Sequence, residues 1–336
     1  MLNSVSSAPG AAPDASYRAE LRALEADPGP LVFLLGCQRS GTTWLHLQLA
    51  RSGRFRFLTA HDVLVSDRLV HLWRSGLLPS SRKDFARYLA ERQLDRGIDS
   101  IPAGPDTPEE YGLVITRQEV RESGMLRYGR PDTTEATLPG LREMCAKKAL
   151  IDGRDRPLLL KSPPDYPAGI ARLVGAWPDA KFVVIQRHPL RTLQSQLTAW
   201  RSMVLRKNDY LNAIDSDYRS LFEDTSRRLR LGIFIHSQAG ADWLADCILQ
   251  AHLDFLELGE SWARNTFTVR YEDLCADQSA VLARLASYIG VDLPEPQHQP
   301  APRHEAVSEE ARRAFDARRA AFAPYLQRYG YGEDGE

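Results

Sequence analysis

The residues Gly36-Cys37-Gln38-Arg39-Ser40-Gly41-Thr42-Thr43-Trp44 follow directly on the apolar run Leu31-Val32-Phe33-Leu34-Leu35. A buried strand that enters a loop with glycine at each end, and then a helix, points several backbone N–H groups and a helix N-terminus at one place, which attracts phosphate. Nucleotide-hydrolysing loops of this spacing carry lysine beside the second glycine, to reach the outer phosphates of a triphosphate. Here that position is Thr42. The exchange favours a shorter phosphate group, and Arg39, inside the loop, supplies positive charge from another direction. Three further basic or polar residues stand at the ends of apolar runs or one helix beyond. Pro157-Leu158-Leu159-Leu160 delivers Lys161-Ser162-Pro163; Phe182-Val183-Val184-Ile185 delivers Gln186-Arg187; and Ser195 lies two turns into the helix that Pro189 opens. Guanidinium and hydroxyl groups suit phosphate oxygens. Arg187 and Ser195 therefore form a second anion cradle, apart from the loop.

The elements that must position these groups read as an α/β domain. Segment lengths between the third and fourth apolar runs suit a right-handed βαβ crossover, which brings both strand ends to one edge. Arg39, Lys161 and Arg187 then converge where ligands bind in open parallel sheets, at the carboxyl ends of the strands. A parallel sheet of about four to five strands with helices on both faces follows. Phe55–Thr59 is the second strand, ending at Ala60-His61-Asp62, and a late run ends at Val269-Arg270-Tyr271-Glu272-Asp273. Residues 1–29 read as a flexible tail leading into a short helix near Ser16–Ala26, and 30–331 as a single domain. Helical insertions at about 63–150 and 200–262 cap the pocket.

The chain has 336 residues, with 43 Lys and Arg against 44 Asp and Glu. A net charge of −1 gives no general attraction to nucleic acid or an anionic membrane, so anion binding must be local. Cys37, Cys145, Cys247 and Cys275 show no paired spacing. That argues against a disulfide framework or zinc site and for a reducing, cytoplasmic setting. No apolar stretch is long enough to span a membrane.

With these motifs the chain resembles sulfotransferases that use 3′-phosphoadenosine 5′-phosphosulfate (PAPS), and among them bacterial members related to the tyrosyl-protein type. The resemblance rests on Arg39 to Thr43, on Arg187 and Ser195 eight positions apart, on Leu159-Leu160-Lys161-Ser162-Pro163, on Arg270-Tyr271-Glu272-Asp273-Leu274, and on the ending Arg328-Tyr329-Gly330-Tyr331. It covers about 31–62, 157–200 and 265–331. It implies a P-loop-type fold and a sulfuryl transfer to a hydroxyl or amine of a small-molecule or glycan acceptor, leaving 3′-phosphoadenosine 5′-phosphate (PAP). No metal is required. Gln38, Arg39, Ser40, Gly41, Thr42, Thr43 and Trp44 would bind the 5′ end, Arg187 and Ser195 the 3′-phosphate, and Tyr271 would lie beside the nucleotide. Lys161 and Arg39 would stabilise the departing phosphate. The position two after the lysine, a catalytic histidine in phenol-type members, is Pro163, which accepts no proton. Related bacterial members place an acidic residue after the second strand, so His61 or Asp62 is the expected base, with Asp165 a weaker choice. Two other readings use the same loop: a P-loop kinase or NTPase with Ala149-Leu150-Ile151-Asp152 as a magnesium-binding strand end, and a non-catalytic nucleotide-binding protein.

Overall fold

A computed structural model describes residues 14–92, 96, 103–117, 130–295 and 306–332. Residues 1–13 of the expected tail, Ile101-Pro102 and the last four residues of the acidic end lie outside the described residues. The strands are β1 (Leu31–Gly36), β2 (Arg56–Phe57), β3 (Leu158–Lys161), β4 (Lys181–Gln186) and β5 (Thr266–Arg270). They form one sheet in the order β2-β3-β1-β4-β5, every pairing parallel. β1 is central because it is apolar on both sides, and all six of its residues are buried.

Alternation divides the strand residues between two cores. Phe33, Leu35, Leu158, Leu160, Phe182 and Val184 face one side, where they meet Cys145 and Met144 of the helix Leu138–Asp152 and Leu190, Leu193 and Leu197 of the helix Pro189–Leu205. Val32, Leu34, Leu159, Val183, Ile185 and Val269 face the other, against Leu45 and Leu49 of Thr42–Arg51 and Val281, Leu282 and Leu285 of Gln278–Ile289. With β3 and β4 on its two sides, β1 is the point where strand order reverses, which leaves a crevice beyond its carboxyl end.

Several segments differ from expectation in extent. The second strand is Arg56–Phe57 only, since Thr59 caps a short helix, Ala60–Leu64. The region 200–262 is a series of helices: Asp209–Ile214, Ser216–Glu223, Thr225–Ile235 and Gln238–Glu257. The segment Ala149–Asp152 is the last turn of Leu138–Asp152, where Asp152 pairs with Lys148 one turn back at 2.7 Å. It is therefore no magnesium-binding strand end. The N-terminal helix is Arg18–Ala26, preceded by buried Asp14, whose carboxylate takes Lys147 at 2.9 Å and the N–H groups of Val70 and His71. Of the cap aromatics among the described residues, Tyr88, Tyr111, Trp200, Tyr210 and Tyr218 are buried, Trp73 is half-buried and Trp243 is exposed.

Candidate functional site

The loop after β1 is shaped by two close approaches. A Cβ on Gly36 would lie 2.6 Å from the carbonyl oxygen of Ile185, and one on Gly41 would lie 2.4 Å from the Tyr271 ring. Gly41 also has φ +101, and Arg39 sits at φ +71, a left-handed conformation costing an L-residue about 1–2 kcal/mol. Contacts to Arg39 hold it there. Arg187 Nη1 donates to the Arg39 carbonyl at 2.7 Å, and Arg39 Nε donates to Ser195 Oγ at 3.2 Å. Gln196 Nε2 donates to the Gln38 carbonyl at 2.8 Å. The Arg187 guanidinium stacks on the Tyr271 ring, 4.5 Å from its centroid.

The loop and the pair Arg187 and Ser195, expected as two separate cradles, thus abut, joined through Arg39 and Tyr271. Two buried donors in this junction, Ser40 Oγ and Arg187 Nε, have no hydrogen-bond partner among the described residues. Orphaned buried donors cost roughly 1–3 kcal/mol each unless a ligand satisfies them. The helix Thr42–Arg51 adds backbone N–H groups, since the first four of a helix have no intrahelical acceptor.

On the other flank of β1, Lys161 Nζ donates to Thr43 Oγ1 at 2.8 Å and to Glu110 Oε1 at 3.0 Å. The ammonium carries three protons, so one remains for a ligand. Lys161 is 2 % exposed, with its tip directed to the loop's helix rather than to solvent.

The expected bases sit elsewhere in the hydrogen-bond pattern. Asp62 is the N3 residue of a capping box: Thr59 Oγ1 accepts from its backbone N–H, and its carboxylate accepts from the N–H of Thr59. The same carboxylate takes Lys148 Nζ at 2.8 Å, and despite burial the ammonium of Lys148 and these bonds lower its pKa. The Asp62 carboxylate is thus taken up by the helix cap and Lys148 rather than directed at the phosphate loop. His61 is fully buried, with Nε2 2.9 Å from Ser81 Oγ and Nδ1 without a hydrogen-bond partner among the described residues. Burial drives its pKa down to about 4. Asp165 is also spoken for, accepting from the hydroxyls of Tyr111 and Thr133 and from the Thr133 N–H at 2.7 Å, with burial pushing its pKa up to about 6.

Three residues at the site escaped the sequence reading. Glu110 reaches Lys161 across 51 positions. Gln196 holds the loop from the helix that carries Ser195. Glu272 accepts the His188 N–H at 3.0 Å and the Tyr331 hydroxyl at 3.0 Å, fixing the turn after Arg187. Glu272 alone had a signal, its place beside Tyr271. Among the described residues, no group of three or more His, Cys, Asp or Glu is placed to hold a metal, and no helix is long and apolar enough to cross a membrane. All four cysteines are free thiols.

The family profile described as "Sulfotransferase family" matches residues 30–295. The fold is similar to that of sulfotransferase STF9 from Mycobacterium avium, with a TM-score of 0.62, 17% identity, and coverage of 96% of this chain and 82% of that one. It is also similar to sulfotransferase STF1 from Mycobacterium tuberculosis H37Rv, with a TM-score of 0.50, 16% identity, and coverage of 90% and 75%. At these identities the likeness concerns the fold. No curated protein matches the sequence.

Proposed function

The chain belongs to the sulfotransferase family, and from that premise we propose that it moves a sulfuryl group from PAPS to a hydroxyl or amine of a small-molecule or glycan acceptor. The observation that carries the reading is the junction at the tip of β1. There a glycine-edged loop, Arg39, Arg187, Ser195 and Tyr271 interlock around the buried, unpartnered Ser40 Oγ and Arg187 Nε. On this reading the backbone N–H groups and side chains of Gln38 to Trp44 hold the 5′ end of the donor. Arg187 and Ser195 hold its 3′-phosphate, with Tyr271 packed alongside. The donor, when bound, supplies an activated sulfuryl group whose departure leaves negative charge on a phosphate. Arg39 stays protonated and answers that charge electrostatically, while Lys161 can both answer it and give up a proton. Donors already fixed before reaction contribute several kcal/mol as an order of magnitude. These cations balance the charge without a metal in the scheme. The free thiols are consistent with a cytoplasmic location.

Incubation with sulfur-35-labelled PAPS and separate pools of phenols, glycans, lipids and secondary-metabolite alcohols tests the proposal. Label should pass to at least one pool, with PAP released in equal amount. No consumption of the donor, or magnesium-dependent turnover of ATP instead, contradicts it.

A further inference from the structure

The acceptor must lose a proton as it is sulfated, and the residues expected to take it are engaged elsewhere. We infer that Glu110 is the general base of this site, held in place by Lys161; the inference rests on the sulfotransferase reading above.

The backbone fixes Glu110 from both sides. Thr59 bridges antiparallel to Pro108, the Glu109 N–H donates to the Leu58 carbonyl at 2.8 Å, and the Tyr111 N–H donates to the Lys161 carbonyl at 3.2 Å. Residues 108–111 are thereby pinned across the ends of β2 and β3. The neighbouring side chains turn inward. Glu109 is 2 % exposed, accepts from the Tyr210 hydroxyl at 2.5 Å and pairs with Arg96 at 3.3 Å, while the Tyr111 hydroxyl is bound to Asp165. Between these two anchored residues, Glu110 keeps 21% of its side chain exposed and places Oε1 3.0 Å from Lys161 Nζ. It is thus a carboxylate at the strand tips that is both partly open and within one hydrogen bond of the lysine beside the nucleotide loop.

The chemistry then balances. A bond forms from the acceptor oxygen to sulfur, and the bond from sulfur to the bridging oxygen breaks with its electron pair left on the phosphate. The acceptor's proton passes to the Glu110 carboxylate. Lys161 stands between the two events, bonded to the carboxylate on one side and to Thr43 of the phosphate loop on the other. As negative charge leaves Glu110 on protonation and grows on the phosphate, the ammonium's attraction transfers from one to the other.

The test compares Glu110→Gln and Glu110→Asp with the wild type in two measurements. One is calorimetric titration with PAP; the other is donor consumption with water alone and with substituted phenols of graded acidity as acceptors. The inference expects E110Q to bind PAP as tightly as the wild type or more tightly, because Lys161 has lost its competing carboxylate. Turnover should fall 10²–10⁴-fold, the usual range for a general base. E110D should recover part of it, and the deficit of E110Q should shrink as the phenol becomes more acidic and needs less help. Turnover by E110Q within about threefold of the wild type overturns the assignment, as does a loss of PAP affinity in step with activity, which would make Glu110 structural. Failure of the wild type to bind PAP, or to consume donor with any of the phenol, glycan, lipid and secondary-metabolite pools named above, instead overturns the sulfotransferase reading.

Discussion

A single methyl group added at Gly41 tests the architecture of the site. A Cβ there would lie 2.4 Å from Cδ2 and 2.9 Å from Cε2 of the Tyr271 ring, so the ring must move. The same ring carries the Arg187 guanidinium, whose Nη1 holds the Arg39 carbonyl. The displacement therefore reaches the loop and the arginine together. Gly53, at φ +71 and with nothing within 4 Å of where an added methyl group would sit, provides the control for backbone strain alone. Both Gly→Ala substitutions lose left-handed freedom at about 1–2 kcal/mol, and Gly41→Ala adds an overpacking cost of about 1–3 kcal/mol. In urea unfolding, Gly53→Ala should lose about 1–2 kcal/mol and Gly41→Ala about 2–5. PAP affinity, measured by calorimetry, should be unchanged in Gly53→Ala and weakened at least tenfold in Gly41→Ala. Adding Tyr271→Ala removes the obstructing ring, so the double variant should be less destabilised than the sum of the single changes. Equal PAP affinity in Gly41→Ala and Gly53→Ala would refute the reasoning.

Other consequences follow from the same contacts. Arg187→Ala removes a charge-assisted bond and a stacked cation and should weaken PAP binding by about 2–4 kcal/mol. Arg187→Lys, which keeps charge without the fork, should recover less than half of that, and titration of both variants checks it. Asp62→Asn removes one of the two carboxylates paired with buried Lys148 and weakens the helix cap, so melting should show a loss of about 1–3 kcal/mol, while the folded fraction keeps wild-type PAP affinity; an unchanged melting temperature would contradict the role given to Asp62. Burial holds His61 and His188 at about 4 and His252 at about 3. Unfolded histidines take up protons near pH 6.5 whereas these do not, so stability is full above that pH and falls as pH drops toward 4, by roughly 2 kcal/mol per histidine at pH 5. Asp165, raised to about 6, gains a proton first in the folded state and offsets roughly 1 kcal/mol of that loss. Urea unfolding at pH 7 and pH 5 should therefore show a net drop of several kcal/mol, and equal stability at the two would contradict it.

The sheet and the phosphate loop were legible because their signals are contiguous. Leu31 to Leu35 is apolar enough on both faces to demand the centre of a parallel sheet, and the glycines on each side of Arg39 mark a loop that closes on backbone. Asp62 was open to two readings because an acidic residue just after a strand looks alike whether it faces a pocket or caps a helix. The spacing Thr59-x-x-Asp62 was itself a capping signature, and the capping box is present. Asp152 was open to the same ambiguity, resolved by a lysine one turn earlier. Glu110 could not be found from its neighbours in sequence, since Glu109 beside it is chemically identical. What separates them is the pairing of 108–111 with Leu58 and Lys161, which turns one carboxylate into the core and the other to the lysine. Side-chain direction in an extended segment follows from register, and register here is set by contacts about 50 residues away.

The central claim is that the tip of β1 holds a bisphosphorylated adenosine between the loop and Arg187. Calorimetric titration of the wild-type protein with PAP, beside adenosine 5′-phosphate lacking the 3′-phosphate, tests it most directly. The account predicts saturable one-to-one binding of PAP, weakened at least tenfold when the 3′-phosphate is missing. Equal affinity for the two nucleotides, or no binding of either, would contradict it.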